Sequence, residues 1–231
     1  MSTTAAVSVI VPAYNESATL EDVVRGIARV LASWPGSHEI IVVDDGSRDG
    51  TGEIAQRLAC ELPVVQVVQL ARNSGYGAAQ RAGLAHASRE LVCLLPADGQ
   101  IPPSALDAYL RAAPEADVII GAYRVREDSR GRRFSSGMFR TVIGLLFGIR
   151  VRNINAPKLY RRADLEGLPL TSSGGFADAE MVIQLHARGR TFKEVEIDCL
   201  PRTAGTSSVG WRAAVQAVIE LVRFRRSGRY R

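Results

Sequence analysis

Cysteine is scarce: Cys60, Cys93 and Cys199 are the only three, and they lie far apart. An odd, scattered set excludes a disulfide framework and fits no zinc or redox spacing. Small buried hydrophobes in a reducing compartment is what the three imply. Aromatics are also few, at 6%, so Val, Ile, Leu and Ala must build the core. No aromatic-and-basic segment of the kind that stacks on RNA bases is present. The longest apolar run, Val142 to Ile149, is broken by glycine and is well short of the roughly 18 residues of a spanning helix. The N-terminus MSTTAAVSVIVPAYNE lacks a basic start, an apolar stretch and a small-residue cleavage site, so no signal peptide is expected. These absences point to a cytoplasmic protein, peripheral on the cytoplasmic membrane face at most.

What is present is a basic chain of 231 residues with a net charge of +5. That length suits one large α/β domain. The basic excess is clustered. One group runs from Arg124 to Arg133, and a second, Arg223 to Arg231, closes the chain. Basic faces seek phosphate, whether on nucleic acid, an anionic lipid or a phosphorylated ligand. Nucleic acid is disfavoured, because acids at the strand ends would oppose a polyanion.

Apolar β-branched runs alternate with helical spacing. Strands are expected at Val7–Val11, Glu39–Val43, Pro63–Gln69, Glu90–Leu95 and Asp117–Gly121. Helices are expected at Ser17–Leu31, with Ser17 as its cap, and at Asp49–Ala59, Gly75–Ala87 and Pro102–Ala112. The second half reads as a basic loop over Arg124–Ser136 and an apolar helix over Gly137–Gly148. A short strand at Lys158–Tyr160, a helix at Ala177–Arg188, a strand at Thr191–Ile197 and an apolar helix at Val209–Phe224 complete it. Strands buried on both faces and joined by helices describe a mostly parallel sheet sandwiched by helices, with ligands beyond the strands' carboxyl ends. A main domain over residues 4–208 and a C-terminal apolar helix with a basic tail over 209–231 are expected.

Polar segments stand at those strand ends. PAYNE follows the first strand: Pro12 fixes the backbone, Tyr14 offers a flat face to a base or sugar, and Glu16 is an acceptor or a first-turn acid. VDDGSRDGT follows the second. Asp44 and Asp45 can accept from a nucleobase or a ribose hydroxyl, whereas Asp49 reads as a helix cap. NSGYGAAQRAGL has neither the Lys-Ser/Thr of a phosphate loop nor GxGxxG spacing, so its glycines serve close helix–strand packing. PADGQ follows the fourth strand, and Asp98 and Gln100 there offer oxygen ligands to Mg²⁺ or Mn²⁺ together with substrate phosphates.

SVIVPAYNE, IIVVDDGSRDGT, NSGYGAAQRAGL and PADGQ in this order resemble family 2 glycosyltransferases of the GT-A fold. LFGIRVRNINAPKLYRR, GGFADAEM and EVEIDCLPRTAGTSS narrow the resemblance to the dolichol-phosphate-mannose-synthase-like branch, over Val7 to about Trp211. The resemblance implies inverting transfer of a sugar, mannose or glucose, from a nucleotide diphosphate to a polyprenyl phosphate, with a membrane partner subunit possible. It assigns Pro12, Tyr14, Glu16, Asp44, Asp45, Ala97 and Asp98 to the donor, and Asp98 and Gln100 to the metal. Arg124, Arg133, Ser136, Arg202 and Ser207 fall to the acceptor phosphate, with Asp98 and Arg202 as the catalytic pair. The chain departs from the pattern at Pro96, where the branch has an Asp, at Ser208 in place of a lysine, and at Asn153 and Ala156-Pro157. The first departure leaves the metal one carboxylate short. Two other functions stay open: transfer to a hydroxyl with Asp178 or Glu180 as base, and a non-catalytic phosphate-binding module.

Overall fold

The computed structural model describes residues 5–124, 130–201, 211–228 and 230. One seven-stranded sheet carries the fold, in the order β3-β2-β1-β4-β6-β5-β7. β1 (Val7–Ala13) lies near its centre, buried at every position. It pairs in parallel with β2 (His38–Asp44) and β4 (Leu91–Leu94), and β2 pairs in parallel with β3 (Val65–Gln69). Helices cover both faces, so β1, β2 and β4 are buried at nearly every position. One face receives α1 (Leu20–Ala32), α2 (Thr51–Glu61) and α4 (Ala105–Ala112). The other receives α3 (Tyr76–His86), α5 (Arg130–Phe147), α7 (Ala177–Ala187) and α8 (Trp211–Ser227). α6 is a four-residue turn, Arg162–Leu165.

β6 (Lys158–Arg161) runs against its neighbours β4 and β5 (Val118–Tyr123), while β7 (Phe192–Ile197) is parallel to β5. The reversal decides the chemistry of the site. It brings the first residue of β6, Lys158, level with Leu94 at the carboxyl end of β4.

Two expectations need correction. Ser17 does not cap α1. The N-cap is Thr19, whose hydroxyl donates instead to Ala97 O at 2.7 Å, while Ser17 N is held by Asp49 Oδ2 at 3.1 Å. Nor is the basic segment a loop as far as Ser136, for α5 begins at Arg130. Phe139, Val142, Ile143 and Phe147 recur at helical spacing and pack on the core. A glycine inside such a stretch costs only about 1 kcal/mol, less than the buried face returns.

The glycines of α3 do serve packing. A Cβ on Gly83 would stand 2.3 Å from Ile10 Cγ2 of β1. Gly83→Ala is therefore expected to destabilise the fold by about 1–3 kcal/mol through overpacking. Thermal denaturation reads this out, and an unchanged melting temperature would contradict the close approach.

Candidate active site

The carboxyl ends of β1, β2, β3 and β4 open on one side of the sheet, and the polar segments gather there. Asp44 is fully buried. Its Oδ1 accepts from Ser47 N at 2.9 Å and its Oδ2 from Gln69 Nε2 at 3.3 Å. Asp45, nearly as buried, accepts from Ser74 N at 2.8 Å and Gly75 N at 2.9 Å. Burial, with Asp44's charge alongside, raises the Asp45 carboxyl above its usual range against the pull of those two amides. The acidic pair thus ties the DGS turn to β3 and the SGY turn to β2. Each carboxylate oxygen accepts one of these bonds.

Beside them lies a cavity of about 470 Å³, lined by Tyr14, Ser47, Arg48, Gln69, Arg72 and Asn73 among others. The left-handed Gly46 (φ 70°) lets the turn pass within 2.5 Å of the Arg72 backbone, measured from where a Cβ would sit. Pro12 and Glu16 flank the lining residue Tyr14 in sequence and hold the neighbouring segments together. Pro12 O accepts from Ala97 N at 3.2 Å, and Glu16 N donates to Thr51 Oγ1 at 2.9 Å. Asp49 holds the same corner through Thr51 and Ser17. Burial opposes its ionisation, but those hydrogen bonds outweigh burial and lower its pKa. Arg48, Arg72 and Asn73 escaped the sequence reading; their position just past the ends of β2 and β3 was the available signal.

PADGQ continues from β4 across the mouth of β1. Leu95 N donates to Ile10 O at 2.9 Å, and Ala97 is buried between Pro12 and Thr19. Asp98 is half-buried, and its Oδ1 accepts from Gln100 N at 3.1 Å. The Gln100 amide nitrogen reaches Leu200 O at 3.4 Å, which leaves its oxygen as a ligand atom. Among the described residues, no three His, Cys, Asp or Glu side chains come together to hold an ion. The donor set is one carboxylate and one amide oxygen. It fits Mg²⁺ or Mn²⁺ if substrate phosphates complete the coordination.

A second cluster lies beneath β6 and α7. Lys158 is 1% exposed, its Nζ 2.7 Å from Ala156 O and 3.3 Å from Asp178 Oδ1. Gln80 Nε2 donates to the same Asp178 oxygen at 2.8 Å. Burial lowers the Lys158 pKa, and Asp178 pulls it back up. Burial, then the charge of Asp178, pushes the phenols of Tyr76 and Tyr160 well up. Glu180, buried two residues on, accepts from Thr171 N at 3.1 Å, Thr171 Oγ1 at 3.0 Å and Ser172 N at 2.8 Å. From α8, Glu220 accepts from Ser173 N at 3.1 Å and Gly174 N at 3.0 Å. Gly77 N in turn donates to Ser173 O at 2.9 Å. The loop 171–175 is thus held from α7, α8 and α3 at once. Lys158 and Glu220 were also missed. A lysine opening an apolar strand, and a lone acid within a helix otherwise apolar and basic, were the signals.

Of the residues expected at an acceptor phosphate, Arg124 follows β5, with Nη1 3.4 Å from Asp198 Oδ1 and Nε 3.7 Å from Glu196 Oε2. Ser136 is exposed on α5. Arg133 stands on the first turns of α5, and its side chain lies outside the described residues, as do Arg202, Ser207 and Ser208 entirely. Asn153 accepts from Tyr123 N at 3.1 Å, and Pro157 O accepts from Gly121 N and Tyr109 OH. The departures at Asn153 and Ala156-Pro157 therefore brace β5.

The model of the glycosyl transferase family 2 matches residues 8–176, which span β1 to the start of α7. The chain belongs to glycosyltransferase family 2. Undecaprenyl-phosphate 4-deoxy-4-formamido-L-arabinose transferase of Pseudomonas aeruginosa (strain LESB58) is 33% identical over 165 residues, covering 70% of this chain and 49% of the relative. The Shewanella sediminis protein of the same name is 27% identical over 222 residues, covering 94% and 65%. The glycosyltransferase thus spans about half to two thirds of the length of these relatives. Glucosyl-3-phosphoglycerate synthase from Mycobacterium tuberculosis, in complex with Mn²⁺, uridine diphosphate and phosphoglyceric acid, superposes with a TM-score of 0.77 at 20% identity. The match covers 96% of this chain and 78% of that one. The fold is GT-A.

Proposed function

We propose that this glycosyltransferase moves a sugar from a nucleoside-diphosphate donor to the phosphate of a polyprenyl lipid, with inversion, at a membrane surface. The observation that carries the acceptor class is the state of the two candidate bases. Asp178 is bonded to Lys158 and Gln80, and Glu180 to Thr171 and Ser172. A hydroxyl acceptor needs a carboxylate free to take its proton. A phosphate monoester is already anionic and needs none. The names of the curated relatives, which act on undecaprenyl phosphate, support the same class.

The phosphate oxygen attacks the anomeric carbon as the bond from that carbon to the diphosphate breaks, and the bonding pair leaves with the diphosphate. One in-line displacement inverts the centre. The cavity at Tyr14, Arg48 and Arg72 suits the nucleoside, and the neighbouring Pro12, Glu16, Asp44, Asp45 and Ala97 are proposed to complete the donor site. Arg124, Arg133, Ser136, Arg202 and Ser207 are proposed to receive the lipid phosphate, as cations and hydroxyls that orient it. Asp98 and Gln100 would hold Mg²⁺ or Mn²⁺, which offsets the charge on the departing diphosphate. No helix among the described residues is long and apolar enough to cross a membrane.

The test is a donor-by-acceptor screen. Donors are GDP-mannose, UDP-glucose and a nucleotide-linked 4-deoxy-4-formamido-L-arabinose. Acceptors are short polyprenyl phosphates and free sugar alcohols, each with and without Mn²⁺. A labelled lipid product that survives only with the phosphate acceptor is expected. A glycoside formed on a hydroxyl would replace this reading with transfer to a sugar or small molecule. Binding of phosphorylated lipid without any turnover would leave a non-catalytic module.

A further inference from the structure

α8 has two faces, and the fold uses one. Glu220, Leu221 and Phe224 are buried against the core, each no more than 7% exposed. On the far side, Val215, Val218, Ile219 and Val222 are 48%, 53%, 39% and 43% exposed. With about 100° of turn per residue, these four fall in one stripe directly opposite the buried face. A surface helix normally turns polar residues to that side. Here Arg226 continues the stripe into the last turn, while Arg223 and Arg225 flank it. Beside it, Phe147 of α5 meets Phe224 at 6.1 Å and Tyr230 at 5.1 Å between ring centroids. The two preceding residues, Leu145 and Leu146, are 82% and 38% exposed. α5 therefore packs on the inward side of α8, and neither helix carries an acid other than the buried Glu220.

We infer that the outward stripe of α8 beds on an anionic lipid surface. Valine and isoleucine enter the acyl boundary while arginines at the flank meet the phosphate headgroups. The charge pattern selects this occupant over a second copy of the chain. In a two-fold contact the arginine-flanked stripe would face itself, with no acid to answer it. The inward face gives the placement its use. Glu220 ties α8 to the backbone of Ser173 and Gly174, the loop that abuts α3 beside the site. A bilayer under α8 therefore lies at a fixed distance from the catalytic mouth. The inference rests on the proposed lipid acceptor for its purpose, but its test involves no transfer chemistry.

The full chain is sedimented with phosphatidylcholine vesicles and with vesicles that also contain phosphatidylglycerol, without donor or acceptor. Binding to the anionic vesicles alone, weakened by salt, is expected. V218E/I219E, at exposed positions, should bind them at least about tenfold more weakly, the loss that follows from keeping a single apolar side chain out of the lipid. R223Q/R226Q should lower affinity for anionic vesicles and remove most of its salt dependence. Circular dichroism checks that both variants keep the wild-type fold. Wild-type binding by V218E/I219E, or equal binding to neutral and anionic vesicles, overturns the inference. So does a dimer in light scattering that V218E/I219E converts to monomer. Absence of lipid glycosylation with intact vesicle binding would count against the proposed function and leave this surface standing.

Discussion

Asp98→Asn is expected to lower sugar transfer about a thousandfold, the effect of losing several kcal/mol of charge stabilisation at the leaving group. The change is nearly isosteric. The Asn oxygen can still accept from Gln100 N, as Asp98 Oδ1 does at 3.1 Å, so the PADGQ turn and the buried Ala97 beneath it keep their places. What is lost is the negative charge. Because Pro96 stands where a second carboxylate would be, no other acid in the segment replaces it. Isothermal calorimetry should show donor affinity rising with Mn²⁺ in the wild type and no such rise in Asp98→Asn. Turnover within tenfold of wild type would remove Asp98 from the catalytic role. Pro96→Asp tests the same point from the other side. A second carboxylate at the strand mouth should tighten Mn²⁺ binding, since Mg²⁺ and Mn²⁺ sites take one or two.

The elements that alternate regularly were legible because their periods are unambiguous. β1 and β2 carry continuous β-branched runs, Val9–Val11 and Ile40–Val43, and α1 places Leu20, Val23, Val24, Ile27 and Leu31 on one buried face. Their polar ends were legible too, because a carboxylate after an apolar run has few reasons to be there. The protein partners of those carboxylates were not legible. Asp44 and Asp45 look alike in sequence, and both look like ligand contacts. Each is also engaged by backbone or side-chain donors from β3 and the SGY turn, partners 25 to 30 residues away. Long-range hydrogen bonds leave no period behind. The same holds for β6: four residues cannot announce their direction, and the antiparallel entry that delivers Lys158 to the site follows from tertiary packing alone.

Lys158 and Asp178 are therefore the pair whose removal should cost most in stability. Lys158→Met would leave a carboxylate in a nearly closed site with only Gln80 to satisfy it, and Asp178→Asn would leave a buried ammonium facing Ala156 O and a neutral amide. Breaking one side of a buried pair costs about 3–5 kcal/mol. At this chain length that should lower the melting temperature by roughly 10 °C in each single variant. The double variant K158M/D178N removes both charges and keeps an acceptor for Gln80. It should recover most of the loss, because replacing a buried pair by neutral groups of similar volume is often close to neutral. The coupling between the two substitutions then measures the interaction. Single variants as stable as wild type would mean that the pair carries no such weight. The double variant also separates structure from catalysis. If Asp178 took a proton from an acceptor hydroxyl, the refolded double variant would lose about 10²- to 10⁴-fold in turnover. If the acceptor arrives as a phosphate anion, stability and transfer to short polyprenyl phosphate should return together, because an anionic nucleophile leaves Asp178 no proton to remove.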